Sequence, residues 1–320
     1  MSVTETAASA ETLAARGDVR AAVAILERLA AAEDGDALFL LASWTLRGTP
    51  LRRDLPLSRG LFGRAAQAGR GDAARIVTAL VAQGIGGPRD WPRALEMLAV
   101  LARSDPRAAE QQALIAAMAL DGAGDPAERP AGQVLSTMPE VSRFPALLSG
   151  EECAHLIKAA EPMMAPAVVV DPRSGAQRPD PVRRADSAGF TWPLENPAVH
   201  AINRRIAAAS GTATANGEPL EILRYRPGQE YRPHLDAIPG AANQRVWTML
   251  IRLNDGYEGG ATVFPSVGLE IEGGAGDAIL FRNLGADGRP IPASLHAGAP
   301  VRAGTKYLAT RWICQRPFEQ

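Results

Sequence analysis

The 320-residue sequence has little cysteine, with Cys153 and Cys314 as its two examples. Two cysteines do not make the disulfide framework of a small secreted protein, and we interpret them as reduced thiols. The N-terminus lacks a basic start followed by an apolar core, so no signal peptide is predicted. No apolar run is long enough to cross a bilayer. These absences lead us to expect a cytoplasmic protein with no membrane partner.

An excess of charge of one sign is also missing, since the formal net charge is −1. A protein without a positive excess has no general electrostatic attraction for nucleic acid or for an anionic membrane. We therefore expect no nucleic-acid partner. Hydrophobic residues make up 46% of the chain, which is enough for a sizeable core, and the length allows two domains.

The first part of the chain is rich in alanine and leucine and repeats itself. The triplet Gly35-Asp36-Ala37 recurs 36 residues later as Gly71-Asp72-Ala73, and Arg53-Asp54 recurs as Arg89-Asp90. Such a period is typical of stacked helix pairs that bury their apolar faces against neighbouring pairs. The pattern resembles Sel1-like repeats, which are relatives of the tetratricopeptide family. We predict a helical-repeat domain over residues 1–121, with a degenerate last unit near Ala109 to Leu120 that caps the array.

Residues 122–136 are dense in glycine and proline and are interpreted as a linker. Beyond them, Ser149-Gly-Glu-Glu152 is a capping box, which predicts a helix that runs to about Glu161. A second helix is predicted over Pro197 to Ser210. From Glu221 onward, short apolar stretches alternate with turns, as is typical of antiparallel β-sheets.

The predicted fold class is therefore α+β with two domains. An all-α helical-repeat domain precedes a double-stranded β-helix (a jelly roll) with supporting helices, which spans residues 137–320.

The pattern with the most chemical content is His234-Leu235-Asp236. In a strand, residues i and i+2 point to the same face, so one metal ion can contact both polar side chains. A second imidazole from a distant strand, that of His296, would complete a set of two histidines and one carboxylate. This facial set leaves coordination positions open and is typical of non-haem Fe(II) oxygenases. The other two histidines, His155 and His200, lie on predicted helices without a partner motif and are interpreted as structural.

The surroundings of this motif follow a definite order along the chain. They comprise Tyr225, Tyr231, Gly259-Gly-Ala-Thr262, Gly276-Asp-Ala-Ile-Leu-Phe-Arg-Asn283, Ser294-Leu-His296, Gly304-Thr-Lys306 and Trp312. From Phe144 to Phe318, this succession resembles the catalytic domain of the prolyl 4-hydroxylase family of Fe(II)/2-oxoglutarate dioxygenases. The resemblance implies that His234, Asp236 and His296 bind Fe(II), that 2-oxoglutarate and O2 are consumed, and that L-ascorbate re-reduces the iron.

The resemblance also implies a set of cosubstrate-binding residues. Lys306 lies where the family places the basic residue for the far carboxylate of 2-oxoglutarate, a task suited to a compact ammonium. Tyr225 matches the family tyrosine that hydrogen-bonds the cosubstrate, and Thr262 is expected to supply another hydroxyl. Arg252 stands where the family often has tyrosine. It shares a face with Leu250, and it either adds a second cation for the cosubstrate or faces solvent.

Substrate-binding residues are predicted from the same resemblance. The segment Asp171 to Ala188 occupies the place of the family loop that closes over a peptide, with residues 171–185 as a loop between two short strands. Arg184 approximates a family position written Arg-x-Ser, although one extra residue separates it from Ser187. Tyr231 and Trp312 are the other candidates, with Trp312 beside the distal histidine.

The predicted function is hydroxylation of an unactivated C–H bond, with a prolyl residue in a peptide or protein as the favoured target. The repeats are expected to bind the substrate or another protein, because stacked helix pairs present a concave groove. Two alternatives stay open. One is an interaction scaffold with an inactive oxygenase domain, although all four of His234, Asp236, His296 and Lys306 are present. The other is a hydroxylase of a free amino acid or another small molecule.

Overall fold

A computed structural model of the chain describes residues 5–170, 177–179 and 182–320. Contacts divide the chain into two compact units, the first formed by residues 1–124 with 192–201 and the second by residues 125–191 with 202–320. The predicted loop over residues 171–185 lies partly outside the described residues. Among those that are described, no helix combines the length and apolar character needed to cross a membrane.

The first unit is built from consecutive helices connected by short turns. Their bounds are α1 (Ala7–Ala15), α2 (Val19–Ala31), α3 (Gly35–Arg47), α4 (Leu55–Gln67), α5 (Gly71–Gln83), α6 (Trp91–Leu101) and α7 (Pro106–Ala117). Helices α3 and α5 begin 36 residues apart, as do α4 and α6, so the predicted helical-repeat architecture is confirmed.

The recurring polar residues stand at the helix ends. The carboxylates of Asp18, Asp54 and Asp90 each accept a hydrogen bond from the main-chain N–H three residues later, at 3.0–3.1 Å. Each bond satisfies a donor that a helix N-terminus leaves without an intrahelical partner. Gly48 and Gly84 end α3 and α5 in the left-handed conformation, with φ of 75° and 81°. The 36-residue repeat in the sequence thus largely reflects the regular spacing of the residues that cap the helices.

The segment 192–201 lies in the first unit although the helices of that unit end at residue 117. The side-chain amide of Gln83 donates to the carbonyls of Trp192 and Glu195 at 2.8 and 2.9 Å. His200 is buried with its Nδ1 2.7 Å from the Glu195 carboxylate. The buried pair agrees with the structural role expected for His200.

The second unit is mainly β. Its strands are β1 (Gln133–Thr137), β2 (Glu140–Phe144), β3 (Ala165–Pro166), β4 (Val168–Val170), β5 (Gln177–Pro179), β6 (Asp186–Phe190), β7 (Leu220–Tyr225), β8 (Tyr231–His234), β9 (Arg245–Arg252), β10 (Glu258–Gly259), β11 (Thr262–Phe264), β12 (Leu269–Ile271), β13 (Ala278–Arg282), β14 (His296–Gly298), β15 (Val301–Ala303) and β16 (Lys306–Cys314). Two longer helices of the chain follow its first 121 residues, α8 (Gly150–Ala160) and α9 (Pro197–Ser210).

Both predicted helices are present in the structure. The Ser149 hydroxyl accepts from the Glu152 N–H at 3.1 Å, and the Glu152 carboxylate accepts from the Ser149 N–H at 2.7 Å, so the capping box is formed. One boundary differs from expectation, because residues 133–136 of the predicted linker form most of β1. This stretch pairs with β2, and the pairing depends on a partner strand rather than on local composition.

The described strands form two main sheets, which confirms the predicted jelly roll. The larger sheet has the order β1-β2-β13-β9-β16-β7-β6-β3, and the smaller sheet has the order β12-β11-β14-β8. Val141, Ile279 and Phe281 of the larger sheet pack against Phe264 and Ile271 of the smaller one. A double-layered β core of this kind leaves room for a site between the sheets.

Both cysteines are free and buried. This arrangement matches the interpretation of reduced thiols.

Candidate metal and cosubstrate site

Strand pairing in the smaller sheet brings the two motif histidines together. His234 at the end of β8 is the direct cross-strand partner of His296 at the start of β14. Asp236 follows two residues after His234, and its carboxylate oxygens lie 3.5 Å from His234 Nε2 and 3.7 Å from His296 Nε2. One ligand atom from each of the three residues lies within 4.8 Å of the others. In the described part of the chain, this is the one such cluster of histidine, cysteine and carboxylate side chains.

The Nδ1 atoms of both histidines are hydrogen-bonded to main-chain carbonyls. His234 Nδ1 lies 2.8 Å from the Arg232 carbonyl, and His296 Nδ1 lies 3.0 Å from the Ser294 carbonyl. A carbonyl can only accept, so each Nδ1 carries the proton and each Nε2 presents its lone pair towards Asp236. This is the tautomer that a metal-binding histidine needs.

The carboxylate of Asp236 is positioned by a short chain of buried polar groups. The Thr248 hydroxyl donates to Asp236 Oδ2 at 2.5 Å, and the Asn283 amide donates to the Thr248 hydroxyl at 2.9 Å. Thr248 and Asn283 are both fully buried. Thr248 and Asn283 therefore fix the orientation of the Asp236 carboxylate from the side of the larger sheet.

The ionisation of the cluster suits a cation. Burial by itself raises the pKa of Asp236, but the neighbouring His296 and His234 and the Thr248 hydroxyl outweigh it and hold that pKa well below its usual range. Burial lowers the pKa of His296 to about 4, against the opposing effect of Asp236. At neutral pH the cluster thus contains a carboxylate and a neutral imidazole, the forms in which these groups bind metals.

The donor set fits Fe(II). The Nε2 atom of His234 is buried and has no hydrogen-bond partner among the described residues. Such a buried polar atom without a partner is costly unless something else binds it. Two imidazoles and one carboxylate on a single face match the non-haem iron type and leave further coordination positions for other ligands.

The cluster opens into a cavity between the sheets with about 500 Å³ of space free of protein atoms, part of it open to solvent. Five of the other predicted site residues line this cavity together with the three metal-binding candidates. The residues that line the cavity include Tyr225, Tyr231, His234, Asp236, Leu250, Thr262, His296, Lys306, Leu308, Thr310 and Trp312. The structure thus brings together most of the predicted site.

Lys306 supplies the cation of the cavity. Its side chain is buried, and its Nζ donates to the Gly260 carbonyl at 2.6 Å and lies 5.7 Å from the centre of the Tyr225 ring. Tyr225 is the direct cross-strand partner of Lys306. Burial, and to a smaller extent the charge of Arg252, lower the pKa of Lys306 to about 7.

Arg252 lies outside this cavity. It lines a second, polar cavity together with Tyr257 and Arg302, and its guanidinium donates to the Ile271 carbonyl. The structure therefore supports neither position considered from the sequence, because Arg252 is buried rather than facing solvent and does not line the cavity of Lys306. Strand alternation placed its Cα correctly, but the long side chain turns to the other cavity.

The two adjacent arginines of the predicted substrate segment differ in their positions. Arg184 is 54% exposed and donates to the Gly228 carbonyl and the Glu230 carboxylate. The structure does not bring it into the cavity. Arg183, which is not among the predicted site residues, forms an antiparallel β-bridge with Tyr231. Its guanidinium lies 5.7 Å from the centre of the Tyr231 ring.

Tyr231 and Trp312 form part of the cavity wall. The Tyr231 ring stacks on His234 with a centroid distance of 3.5 Å and an interplanar angle of 15°. Trp312 carries Arg245 on its ring at 3.9 Å, and Arg245 is fixed by two bonds of 2.5 and 2.8 Å to the Glu218 carboxylate.

Sequence reasoning missed several residues of the site. Leu308 and Thr310 line the cavity between Lys306 and Trp312, and alternation along β16 from Lys306 would have indicated both. Thr310 Oγ1 is buried and has no hydrogen-bond partner among the described residues. No comparable signal marks Thr248, because its contact with Asp236 depends on how the two sheets face each other.

Comparison with known proteins agrees with this geometry. Residues 220–314 match the family model of the 2OG-Fe(II) oxygenase superfamily. Prolyl 4-hydroxylase 1 of Arabidopsis thaliana is 36% identical over 203 residues, which cover 58% of this chain and 72% of that protein. The structure of a viral collagen prolyl hydroxylase from Paramecium bursaria Chlorella virus-1, in complex with 2-oxoglutarate, is 27% identical with a TM-score of 0.45, and the match covers 54% of this chain and 95% of that one.

The repeats have their own structural neighbour. A Sel1 repeat protein from Oxalobacter formigenes is 24% identical with a TM-score of 0.27, and the match covers 30% of this chain and 39% of that one. The extent and identity of the match to the plant enzyme decide the assignment of the catalytic part. The chain belongs to the prolyl 4-hydroxylase family and is a 2-oxoglutarate- and Fe(II)-dependent dioxygenase.

Proposed function

We propose that this protein hydroxylates a prolyl residue of a peptide or protein and converts 2-oxoglutarate and O2 to succinate and CO2 in the same turnover. The observation that carries the proposal is the juxtaposition of two unlike sites in one cavity. A cluster of His234, Asp236 and His296 with inward-facing donor atoms shares that cavity with the buried ammonium of Lys306.

In this proposal, His234, Asp236 and His296 hold Fe(II). Bound iron supplies the redox chemistry by which O2 oxidises both the cosubstrate and a C–H bond. The protein's part is to present both Nε2 lone pairs through the carbonyls of Arg232 and Ser294. These preset orientations reduce the reorganisation needed when the metal binds.

Lys306, Tyr225 and Thr262 are proposed to bind 2-oxoglutarate. The cosubstrate has a carboxylate at each end, and a buried ammonium in a largely apolar cavity binds such a group strongly because little water screens the charge. Leu250 and Leu308 line the same cavity. Their apolar side chains fit the methylene groups between the two carboxylates and exclude water from them.

Two observations support a prolyl substrate, namely the similarity to prolyl 4-hydroxylases and the shape of the site. The Arabidopsis protein is a prolyl 4-hydroxylase, and the cavity here is partly open to solvent. Tyr231 offers an aromatic surface beside His234, and an apolar pyrrolidine ring packs well on such a surface. The helical repeats are proposed to bind the substrate or another protein, and ascorbate is proposed as the reductant.

The test is incubation of the purified protein with Fe(II), 2-oxoglutarate, ascorbate and proline-rich peptides, followed by mass spectrometry. A mass increase of one oxygen on proline, absent with His234→Ala, is expected. Oxygen addition to other residues or to small molecules would reject the prolyl substrate but keep the oxygenase. If 2-oxoglutarate were not converted to succinate under any condition, the chain would act as an interaction scaffold.

A further inference from the structure

Two buried cations lie side by side in the larger sheet. Arg252 on β9 is the direct cross-strand partner of Leu308 on β16, and Leu308 is two residues from Lys306. Arg252 and Lys306 are therefore diagonal neighbours on one face of the sheet, a relation in which Cα atoms are about 7–8 Å apart and long side chains can interact. They are 4% and 3% exposed.

Neither cation forms a direct ion pair with a carboxylate among the described residues. Within the described part of the chain, no ion pair joins Arg252 or Lys306 to an acidic side chain within 4.0 Å. Their acceptors are carbonyl oxygens, that of Ile271 for Arg252 and that of Gly260 for Lys306. Two like charges in a poorly hydrated interior repel each other, and an arginine does not lose its proton.

We propose that Arg252 is a positioning residue that acts on Lys306 through its charge, without contacting the cosubstrate, and so sets the upper pH limit of 2-oxoglutarate binding. The proposal rests on the proposed role of Lys306. It follows from the fold, because Arg252 is held in the second cavity while its position on β9 is diagonal to that of Lys306 on β16. Lys306 is then the group that responds, since it is the one of the two that can release a proton near neutral pH.

Two tyrosines lie near Lys306, and the acidic residues Asp255, Glu258 and Glu272 line the second cavity with Arg252 rather than the cavity of Lys306. Tyr225 faces it from β7 with its ring, and Tyr257 and Lys306 both lie next to the position that a Cβ would occupy at Gly260. The remaining charged groups of the cavity are His234, Asp236 and His296 of the metal cluster. The pKa of Lys306, about 7, reflects burial first and Arg252 second. Arg252 is thus the nearby charge whose removal should matter.

The chain is well suited to a direct test, because its two lysines are Lys158 and Lys306. Lysine-specific 13C labelling would give two side-chain signals in the NMR spectrum, and Lys158 would serve as an internal reference. The pKa of Lys306 would be measured in the wild type and in Arg252→Gln. Arg302→Gln is the matched control, because Arg302 lines the same second cavity as Arg252 but is exposed.

The expected result is a rise in the pKa of Lys306 by about one unit or more in Arg252→Gln, from the Coulomb energy of charges at this separation. Arg302→Gln should leave it unchanged. Circular dichroism and thermal unfolding would show whether each variant is folded. An unchanged pKa of Lys306 in folded Arg252→Gln would overturn the proposal.

Binding of 2-oxoglutarate, measured by calorimetry, gives an independent reading. From pH 6 to pH 8, the affinity of Arg252→Gln for 2-oxoglutarate should fall several-fold less than that of the wild type, because Lys306 stays protonated to higher pH in the variant. An equal loss of affinity from pH 6 to pH 8 in the wild type and the variant would refute the proposal. If the wild type bound no 2-oxoglutarate at either pH, the proposed function would fail, and the NMR titration would still decide the role of Arg252.

Discussion

Replacing Thr248 with valine tests how the metal cluster is held in place. Valine keeps the shape of the side chain but removes the hydroxyl that donates to Asp236 at 2.5 Å and accepts from Asn283 at 2.9 Å. Loss of such an outer hydrogen bond typically reduces metal affinity by about 10–100-fold. That range corresponds to about 1.4–2.8 kcal/mol of binding free energy.

The same substitution should also destabilise the metal-free protein. Asn283 is fully buried, and its amide would be left without the Thr248 acceptor. Such a loss costs about 1–3 kcal/mol in the free energy of unfolding. Two effects of separate origin are therefore expected, one on metal binding and one on folding.

Anaerobic titration with Fe(II) and denaturant unfolding without metal would measure these effects. Thr248→Ser is the matched control, because it retains the hydroxyl, and both quantities should stay near those of the wild type. Normal iron affinity in Thr248→Val, together with reduced stability, would refute the reasoning. Thr248 would then be a packing residue, and the orientation of Asp236 would have another cause.

Three further substitutions and one pH profile extend these tests. Lys306→Met should raise the 2-oxoglutarate concentration needed for half-maximal turnover at least about tenfold while changing the iron requirement little, since a desolvated ion pair is lost; parallel kinetic titrations of both would check this. For the wild type, the dissociation constant of 2-oxoglutarate should not change with pH below pH 7 and should rise about tenfold per pH unit above it. The reason is that the pKa of Lys306 in the free protein is about 7 and the deprotonated amine cannot pair with a carboxylate. Dissociation constants from calorimetry that stay unchanged up to pH 9 would contradict this. Gly260→Ala places a methyl group 2.9 Å from Lys306 Cδ at a φ of +69°, and it should weaken 2-oxoglutarate binding. Gly268→Ala is the control and should weaken binding less, because φ is similar there at +63° but no atom lies within 4 Å of the added methyl group. Asp54→Ala should lower the free energy of unfolding by about 1 kcal/mol through loss of a helix cap, whereas Asp54→Ser should restore most of it.

Features with a local physical cause were predictable from the sequence. The 36-residue period predicted the helices of the first unit, because each period carries its own capping aspartate, as Asp54 and Asp90 show. The Ser149 capping box and the helix from Pro197 to Ser210 follow from the same local rules. The spacing of His234 and Asp236 predicted that both side chains reach one point, and the structure places them there.

Features that depend on how distant strands face each other were not predictable in this way. Alternation placed Arg252 on the face of Leu250, but it does not determine which of two cavities a long, flexible side chain enters. The adjacent Arg183 and Arg184 differ because Arg183 pairs with Tyr231 across the sheet, and no local pattern in the sequence indicates that pairing.

The division of the site between the two sheets has a consequence for how its functions vary. The smaller sheet and the loop after it carry His234, Asp236 and His296, whereas the larger sheet carries Tyr225 and Lys306. Changes in Lys306 should therefore alter cosubstrate binding with little effect on metal binding.

Thr248 is the exception to this division, because it lies on β9 of the larger sheet yet holds Asp236. Its cross-strand partner on β16 is Trp312, which lines the same cavity. A displacement of β16 that moves Lys306 would also act on β9 and the Thr248 hydroxyl, since the two strands are paired along most of their length. Binding of the cosubstrate and binding of the metal should consequently be coupled through β9 and β16, and the Thr248→Val variant should weaken that coupling because it removes the hydrogen bond that connects the two sheets at Asp236.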